Sequence, residues 1–369
     1  QTGTNAHTNK QLVITDRPTA FYVAKTDAAS GAAVAGTTIT LQGTFAGGTG
    51  EETRTLTSFG NLDSPVGYIG TVVSGNTSGL IVSTNENDTS HTYVVTETVP
   101  TYGYVLPQVN SYTIRLVSPL STDTTEINQY GILEYLDGNT WKAVSGNSAL
   151  KATSTQANTM KFTDAFSTAY LKKMDSNNSN LGVAGATYTL DGTFANAEHT
   201  ATETTSYTFK SEQASTTDTS PKSVGLTDAN GNAVSGVMLV NTDFNGSVEA
   251  KTYTYKLTET EPAPGYKIDT FRSIYTDAND TTGKTLTLAL DGFGNLYYKT
   301  DNSTSGTWWQ EVSSGVQSGT SLSDNVISHS DTKNGITITK KNASGTATDG
   351  AEFEIIGIFA KGDGSGTTE

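Results

Sequence analysis

The stretch "TYKLTETEPAPGY", residues 254–266, places a carboxylate at the end of an apolar face. In a strand of period two, Tyr255, Leu257 and Glu259 point to one side, while Lys256 and Thr258 point to the other. Removing a lone carboxylate from water costs several kcal/mol, so an inward Glu259 must be neutral, hydrogen-bonded or paired with a buried cation. The stretch therefore predicts a strand whose buried acid has partners elsewhere in the chain.

The composition favours a globular all-β protein. Hydrophobic residues make up 34% of the 369 residues and aromatic residues 9%, which is enough to build cores. Short alternating runs such as "TYVVTE", "YTIRLV" and "TLTLAL" lie between turns rich in Gly, Asn and Asp. No segment has a convincing helical period, so we expect strands throughout.

Charge and cysteine content exclude several kinds of partner and site. A formal net charge of -15 leaves no basic cluster for nucleic acid or an anionic membrane. The chain has no cysteine, and hence no disulfide and no thiolate metal site. We find no signal peptide, hydrophobic span or sorting motif, and we expect the chain to be a window on a longer array.

Internal repeats are the strongest pattern in the sequence. The segment "FYVAKTDAASGAAVAGTTITLQGTF" from Phe21 aligns with "AYLKKMDSNNSNLGVAGATYTLDGTF" from Ala169, and a shorter copy, "ITITKKNASGTATDGAEFEIIGIF", begins at Ile336. Later in the repeat, "TYVVTETVPTYGY" from Thr92 matches "TYKLTETEPAPGY" from Thr254. These copies predict two complete units and parts of two more.

An aspartate that precedes each opening lysine by nine residues sets the boundaries. The pairs are Asp16 with Lys25, Asp164 with Lys173, and Asp331 with Lys340. We therefore expect residues 1–17 to be the last strand of a preceding unit, 18–165 and 166–332 to be complete domains, and 333–369 to open a further unit. The two end pieces lack a counterpart of the glutamate motif. Asp16 and Lys340 are therefore the equivalents of the closing aspartate and the opening lysine in incomplete units.

Alternation places one lysine, one glutamate and one aspartate on the inward faces of each complete unit. The two sets are Lys25, Glu97 and Asp164, and Lys173, Glu259 and Asp331. Burial lowers the pKa of a lysine and raises that of an acid, so a neutral amine can attack the aspartate carboxyl carbon while the glutamate handles protons. Loss of water would leave an isopeptide amide. The alternative is a buried ion-paired triad without a covalent bond.

These residues resemble the motifs of the Cna B-type (SpaA-like) domains of Gram-positive pilins and surface adhesins. The family motif "YxLxETxAPxGY" is similar to "YKLTETEPAPGY" from Tyr255 and, more loosely, to "YVVTETVPTYGY" from Tyr93. The resemblance implies tandem immunoglobulin-like β-sandwich domains, each with an intramolecular isopeptide bond. It makes Lys25 and Lys173 the amine donors and Glu97 and Glu259 the catalytic acids.

The same resemblance implies that Asp164 and Asp331 are the acceptors. The family more often has asparagine at that position, and a nearby asparagine is the alternative acceptor. Aspartate would release water, whereas asparagine would release ammonia.

Other candidate sites are weaker. His7, His91, His199 and His329 show no ligand spacing, so we expect no metal and no cofactor, and we expect His91 and His329 to be packed inside. Stretches rich in Asp and Asn, such as residues 85–90, match no EF-hand loop and favour surface turns over calcium sites.

Each unit also carries an aromatic insertion after its glutamate motif, near residues 131–146 and 288–315. The candidate ligand contacts there are Trp141, Trp308, Trp309 and Tyr297. They would bind a host glycan or matrix protein; alternatively, the insertions add strands that widen the sandwich and bury the rings.

The function predicted from these patterns is structural. We expect a stalk or shaft segment of an extracellular, cell-wall-attached fibre, whose partners are neighbouring domains or copies of the same fibre. The alternative is an adhesive module that uses the aromatic insertions. A turnover enzyme has no supporting constellation, and neither a "YPK" pilin motif nor an "LPxTG" sorting signal occurs in the chain.

Overall fold

The computed structural model describes most of the chain, and its secondary structure is β throughout. The residues described are 21–58, 68–69, 81–84, 90–117, 131–152, 158–167, 169–211, 222–223, 237–275, 278–280, 282–301, 308–312, 325–360 and 367–368. Within these ranges there is no α-helix, only two short 3-10 turns, and none of them has the length or apolarity to span a membrane. The predicted all-β class is confirmed.

The chain divides into two compact units. The first contains residues 1–25, 39–96 and 111–162, and the second contains residues 26–38, 97–110 and 163–369. The division into repeats at residues 165 and 332 stays a prediction.

The first ten strands build two sheets. Their bounds are β1 Phe21–Asp27, β2 Thr38–Gly43, β3 Glu52–Thr57, β4 Tyr68–Ile69, β5 Ser83–Thr84, β6 Tyr93–Val99, β7 Ser111–Val117, β8 Ile132–Asp137, β9 Thr140–Ala143 and β10 Thr159–Asp164, with a 3-10 turn at Val144–Gly146. One sheet has the order β10-β1-β4, and the other has the order β3-β2-β6-β7-β8-β9 with β5 beside β7.

One core lies between these two sheets. Phe21 and Val23 of β1 and Phe162 of β10 pack in the same cluster as Leu41 of β2 and Val95 of β6. Because each strand buries alternate residues, two sheets that share one core form a β-sandwich.

The next twelve strands build a second pair of sheets. Their bounds are β11 Tyr170–Asp175, β12 Asn178–Gly182, β13 Thr187–Ala195, β14 Thr202–Lys210, β15 Lys222–Ser223, β16 Val237–Met238, β17 Tyr255–Glu261, β18 Tyr266–Lys267, β19 Thr285–Leu290, β20 Leu296–Lys299, β21 Trp309–Glu311 and β22 Val326–Lys333, with a 3-10 turn at Phe271–Ser273.

This second pair is also a β-sandwich. One sheet has the order β12-β11-β22-β18 with β15 beside β11, and the other has the order β14-β13-β17-β19-β20-β21 with β16 beside β13. Leu171 and Ile327 from the first sheet share a core with Leu190, Leu257 and Leu286 from the second.

The first and last strands of the second sandwich are parallel neighbours. Strand β11 pairs with β22 in a register that sets Lys173 opposite His329 and Asp175 opposite Asp331. Parallel pairing requires a long crossover, which here is the rest of the sandwich. The opening lysine and the closing aspartate therefore lie on adjacent strands.

Strands β1 and β10 have the same relation. The Tyr22 amide donates to the Asn158 carbonyl at 3.0 Å, and the Ala28 amide donates to the Asp164 carbonyl at 2.7 Å. The donor and acceptor are 136 residues apart in both bonds, and a constant separation is the mark of a parallel pair.

A buried tyrosine packs on a glycine in each sandwich. A Cβ atom added at Gly192 would lie 2.3 Å from Cδ1 of Tyr255, and one added at Gly43 would lie 2.4 Å from Cδ1 of Tyr93. Both rings are fully buried. The glycines therefore leave the space that the rings fill.

The phenol groups of these tyrosines are held by backbone atoms. The Tyr255 hydroxyl donates to the Thr193 carbonyl at 2.7 Å and accepts from the Leu239 amide at 2.5 Å. Burial is the main cause that raises the pKa of Tyr255, so the phenol stays neutral. The Tyr93 hydroxyl makes the corresponding bonds to Thr44 and Val82, both at 2.8 Å.

The last described segment does not form the strand that the repeat predicts. Ile336 and Ile338 are exposed, as is Lys340, and the only strands after β22 in the described ranges are β23 Phe359–Ala360 and β24 Thr367–Thr368, which pair with each other. An edge without a partner strand gains neither ladder hydrogen bonds nor burial.

We predict that Gly192→Ala destabilises the second sandwich by about 1–3 kcal/mol, because the new methyl group collides with the Tyr255 ring. Thermal unfolding followed by tryptophan fluorescence measures the change. Gly182→Ala is the matched control, since its Cβ meets nothing within 4 Å. Equal melting temperatures for the two variants would contradict this packing.

Candidate functional site

Three strands bring a lysine, two acids and a histidine to one buried point in the second sandwich. Lys173 comes from β11, Glu259 from β17, and His329 and Asp331 from β22. Each follows alternate apolar residues of its own strand, so the same alternation that fills the core turns these polar groups inward. Their side chains are at most 1% exposed.

The lysine lies between the two carboxylates. Lys173 Nζ is 2.7 Å from Glu259 Oε2 and 2.6 Å from Asp331 Oδ1. A third neighbour is His329 Nδ1, 3.3 Å from Nζ. In the described part of the chain, no asparagine is within hydrogen-bonding distance of this lysine. The structure therefore brings together Lys173, Glu259 and Asp331 and places no asparagine acceptor beside them.

Each carboxylate uses one oxygen and leaves the other without a partner. Asp331 Oδ1 accepts from Lys173 and also from the backbone amide of Asp269, at 3.1 Å. Among the described atoms, Asp331 Oδ2 and Glu259 Oε1 are buried and have no hydrogen-bond partner. A buried carboxylate oxygen without a donor is costly, so the ion-paired arrangement is not fully satisfied.

Sequence reasoning assigned no chemical role to two further side chains in this site, His329 and Tyr188. His329 Nδ1 is 3.0 Å from Glu259 Oε2 and 2.8 Å from the Tyr188 hydroxyl, and its ring stacks on Phe271 with centroids 3.9 Å apart. Alternation indicates that His329 is inward, two residues before Asp331, and it is buried as expected. Its neighbours come from β13 and β17, which a period-two pattern does not identify.

The two acids have opposite pKa shifts. Burial raises the pKa of Asp331 to about 6, although the Lys173 charge lowers it in part. Burial also acts to raise the pKa of Glu259, but the His329 hydrogen bond and the Lys173 charge outweigh it and lower the pKa. A raised pKa was expected for both acids, and for Glu259 this expectation is wrong because it did not include the His329 hydrogen bond.

The same groups have the donor types of a metal site, but a cation already occupies the space. One ligand atom each from Glu259, His329 and Asp331 lies within 4.8 Å of the others. The Lys173 ammonium is within 2.7 Å of both carboxylates, so a metal ion would have to displace it. The arrangement is that of a lysine site.

The first set of predicted residues is buried as well. Lys25 lies on β1, Glu97 on β6 and Asp164 on β10, and all three are 0% exposed. Lys25 belongs to the first compact unit, whereas Glu97 and Asp164 belong to the second.

Alignment of the repeats reveals a difference between the two sets. Phe162, two residues before Asp164, occupies the position of His329, and Ile39 in "GTTITL" occupies that of Tyr188 in "GATYTL". Both replacements are buried and apolar. Neither side chain can exchange a proton.

The equivalents in the partial units are not part of either set. Asp16 lies outside the described residues. Lys340 is exposed and outside any strand, in contrast to the inward position that the repeat predicts. This segment has no partner strand among the described residues, and Ile336 and Ile338 of its predicted apolar face are exposed.

The aromatic insertions extend the large sheets. Strands β8 and β9 continue one sheet, and β20 and β21 continue the other. Trp309 is 4% exposed and packs edge-on against Phe244, whose other aromatic neighbour is the partly buried Tyr297. The structure therefore buries Trp309 in the widened sandwich.

Two of the candidate ligand contacts lie nearer the surface. Trp308 is 42% exposed, with the Lys299 ammonium 5.8 Å from its ring centroid. Trp141 is half-buried beneath the Arg115 guanidinium, 4.4 Å from the ring centroid. Binding of a glycan or matrix protein by these rings stays a prediction.

Comparison with known proteins gives structural similarity only. No protein-family model and no curated protein matches the chain. The C-terminal fragment of the pilus adhesin SpaC from Lactobacillus rhamnosus GG is 13% identical, with a TM-score of 0.35 over 87% of this chain and 100% of that chain.

Two further solved structures are pilins. The major pilin from Streptococcus pyogenes is 12% identical, with a TM-score of 0.25 over 87% of this chain and 99% of that chain. A double mutant of the shaft pilin SpaA from Lactobacillus rhamnosus GG is 11% identical, with a TM-score of 0.24 over 87% of this chain and 100% of that chain.

Proposed function

We propose that the chain is a structural segment of an extracellular cell-surface fibre or adhesin stalk, and that Lys173 and Asp331 join in an intramolecular isopeptide bond. The observation that carries the proposal is the buried Lys173 ammonium of the first strand, which lies between Glu259 of the facing sheet and Asp331 of the last strand. The bond forms once in each molecule, so the chain is not a turnover enzyme.

The reacting atoms are already close. Lys173 Nζ is 2.6 Å from Asp331 Oδ1, so the carboxyl carbon is at most about 3.9 Å from Nζ, one C–O bond length further. Groups held near attack distance react as if at very high concentration, which replaces the activation that a cofactor would supply. The fold itself is the catalyst.

The bond can form without a net gain or loss of protons. One proton passes from the Lys173 ammonium to Asp331 along their 2.6 Å contact, which gives a neutral amine and a neutral acid. As the amine attacks the carboxyl carbon, Glu259 Oε2, 2.7 Å away, accepts a second Nζ proton. Glu259 returns this proton to the departing hydroxyl, the C–O bond breaks, and water and an amide remain.

The amide removes two buried charges. Before reaction, a lysine ammonium and a carboxylate are held away from water, and Asp331 Oδ2 has no described partner. Desolvation of such pairs costs more than Coulomb attraction returns unless the geometry is complete. A neutral amide has no such desolvation cost, so the folded chain with the amide is more stable than the folded chain with the ion pair.

The bond would protect the sandwich against tension. Tension enters through β11 and leaves through β22, which are parallel neighbours and are therefore loaded in shear. A Lys173–Asp331 amide carries the force past the loop between residues 173 and 331. Closing a loop of that size stabilises the fold by about 5 kcal/mol in the chain-entropy model. Unlike a disulfide, the amide does not respond to thiols.

The proposal extends to the first set by the repeat. Lys25, Glu97 and Asp164 are fully buried residues of the same types in the same order, on strands of the same kinds. We assign Lys25 and Asp164 to a second isopeptide bond, with Glu97 as the acid that handles protons. The partners of such a chain are neighbouring domains or further copies of the fibre.

We predict that the denatured wild-type chain is lighter than its sequence mass by two water molecules. Glu259→Ala should restore one of them, because the proton acceptor beside Nζ is lost, and Glu97→Ala should restore the other. Intact-mass spectrometry measures both, with Glu261→Ala, an exposed residue of the same strand, as the control. A wild-type mass equal to the sequence mass would mean that both sets of residues are ion pairs without a covalent bond.

We predict that the Lys173–Asp331 bond forms more slowly in acid. Below a pH of about 6, Asp331 binds a proton while Lys173 is still an ammonium, so the pair holds one proton more than the reactive state. The rate should fall about tenfold for each pH unit below that value and be constant above it. Timed mass spectra of newly synthesised chain at about pH 5 and about pH 7 measure it. Equal rates of bond formation at the two pH values would contradict this assignment of protons to Lys173 and Asp331.

A further inference from the structure

In the second site, His329 and Glu259 are close enough to share a proton. His329 Nε2 lies 3.0 Å from the backbone carbonyl of Asp269, which can only accept, so Nε2 carries a hydrogen. On the other side of the ring, Nδ1 is 3.0 Å from Glu259 Oε2. Two bare lone pairs at that distance would repel, and a hydrogen bond between Nδ1 and Oε2 removes the repulsion.

The groups that face His329 determine where that proton resides. They are Lys173 from β11, Tyr188 from β13, Glu259 from β17, Asp331 from its own strand, and the Asp269 carbonyl, with Phe271 stacked on the ring. The pKa of Glu259 is lowered by His329 and Lys173 in spite of burial. Glu259 is therefore held as a carboxylate.

Resting on the bond formation proposed above, we infer that His329 is a catalytic residue of the second site, which keeps Glu259 ionised so that it can accept a proton from Lys173. Glu259 takes the Nζ proton as the C–N bond forms, so the His329–Glu259 pair then holds two mobile protons. The pair returns one to the departing hydroxyl and keeps the other. The balance is therefore one water lost and no net change in the pair.

Tyr188 supports this exchange. Its hydroxyl is 2.8 Å from Nδ1 and is fully buried. Burial, followed by the charges of Glu259 and Asp331, raises its pKa, so the phenol keeps its hydrogen. When the proton moves from Nδ1 to Oε2, the Tyr188 hydroxyl can donate to the bare nitrogen, which lowers the cost of that state.

The first site lacks both groups, which gives a control within the same molecule. Phe162 stands where His329 does, and Ile39 stands where Tyr188 does. The Lys25–Asp164 bond, if it forms, forms without a histidine. Its rate in each variant therefore reports any general effect on synthesis or folding.

The test follows both bonds in newly synthesised chain. Samples from cell-free synthesis are quenched at timed intervals in denaturant, digested, and analysed by mass spectrometry for the two crosslinked peptides. His329→Phe, which copies Phe162, should slow the Lys173–Asp331 bond about 100-fold, the usual scale of general acid–base catalysis, and leave the Lys25–Asp164 bond unchanged.

A second variant separates proton transfer from packing. His329→Asn keeps a hydrogen-bonding side chain that cannot hold the mobile proton, so it should slow the bond as much as His329→Phe. Tryptophan fluorescence of each purified variant, measured before denaturant is added, reports whether the chain folds. A wild-type rate in the Asn variant would overturn the inference, and it decides the matter if the Phe variant does not fold.

The outcomes distinguish this inference from the proposed function. If the wild-type chain forms the Lys173–Asp331 bond and both His329 variants form it at the same rate, His329 has no catalytic role although the proposed function stands. If the wild-type chain forms no such bond, both are overturned. Slow bond formation in both variants with an unchanged Lys25–Asp164 rate supports the two together.

Discussion

The buried Lys173 ammonium between two carboxylates is the interaction that the second sandwich is arranged around. It requires that the first and last strands be parallel neighbours, so that Lys173 on β11 and Asp331 on β22 meet. It also requires that β17 of the facing sheet present Glu259 inward at the end of an apolar stripe. Placing these charges inside costs several kcal/mol of desolvation free energy, and the stabilisation from the apolar core of the sandwich must exceed it.

Much of this arrangement could be predicted from the sequence. A period-two pattern predicts which face a side chain lies on, and Lys173, Glu259 and Asp331 are buried on the predicted faces. It does not predict which strands adjoin, so the contacts of His329 with Tyr188 and Glu259 were beyond it. The predicted strand at residues 336–340 does not form for a related reason. An alternating pattern shows that a segment can be a strand, but the segment becomes one only where another strand pairs with it.

The two sets differ in the residue two positions before the aspartate, although their lysine, glutamate and aspartate residues correspond. A histidine beside Glu259 lowers the pKa of that acid, and the resulting carboxylate is a base rather than the protonated acid that burial alone would give. Phe162, at the aligned position of the first set, is buried and has no ring nitrogen to form such a hydrogen bond. One set has a histidine beside its glutamate and the other has phenylalanine at the aligned position, so the chain offers its own comparison for the proposed reaction.

Single-molecule stretching of the chain by its ends tests most directly whether tension passes through Lys173 and Asp331. With the amide in place, the loop from 173 to 331 cannot lengthen, and the second sandwich adds only the few residues outside it. Glu259→Ala should instead show an additional extension step of about 500 Å, from some 3.3–3.6 Å per released residue. We expect the wild-type chain to lack this step, and a wild-type chain that shows it would mean that tension does not pass through Lys173 and Asp331.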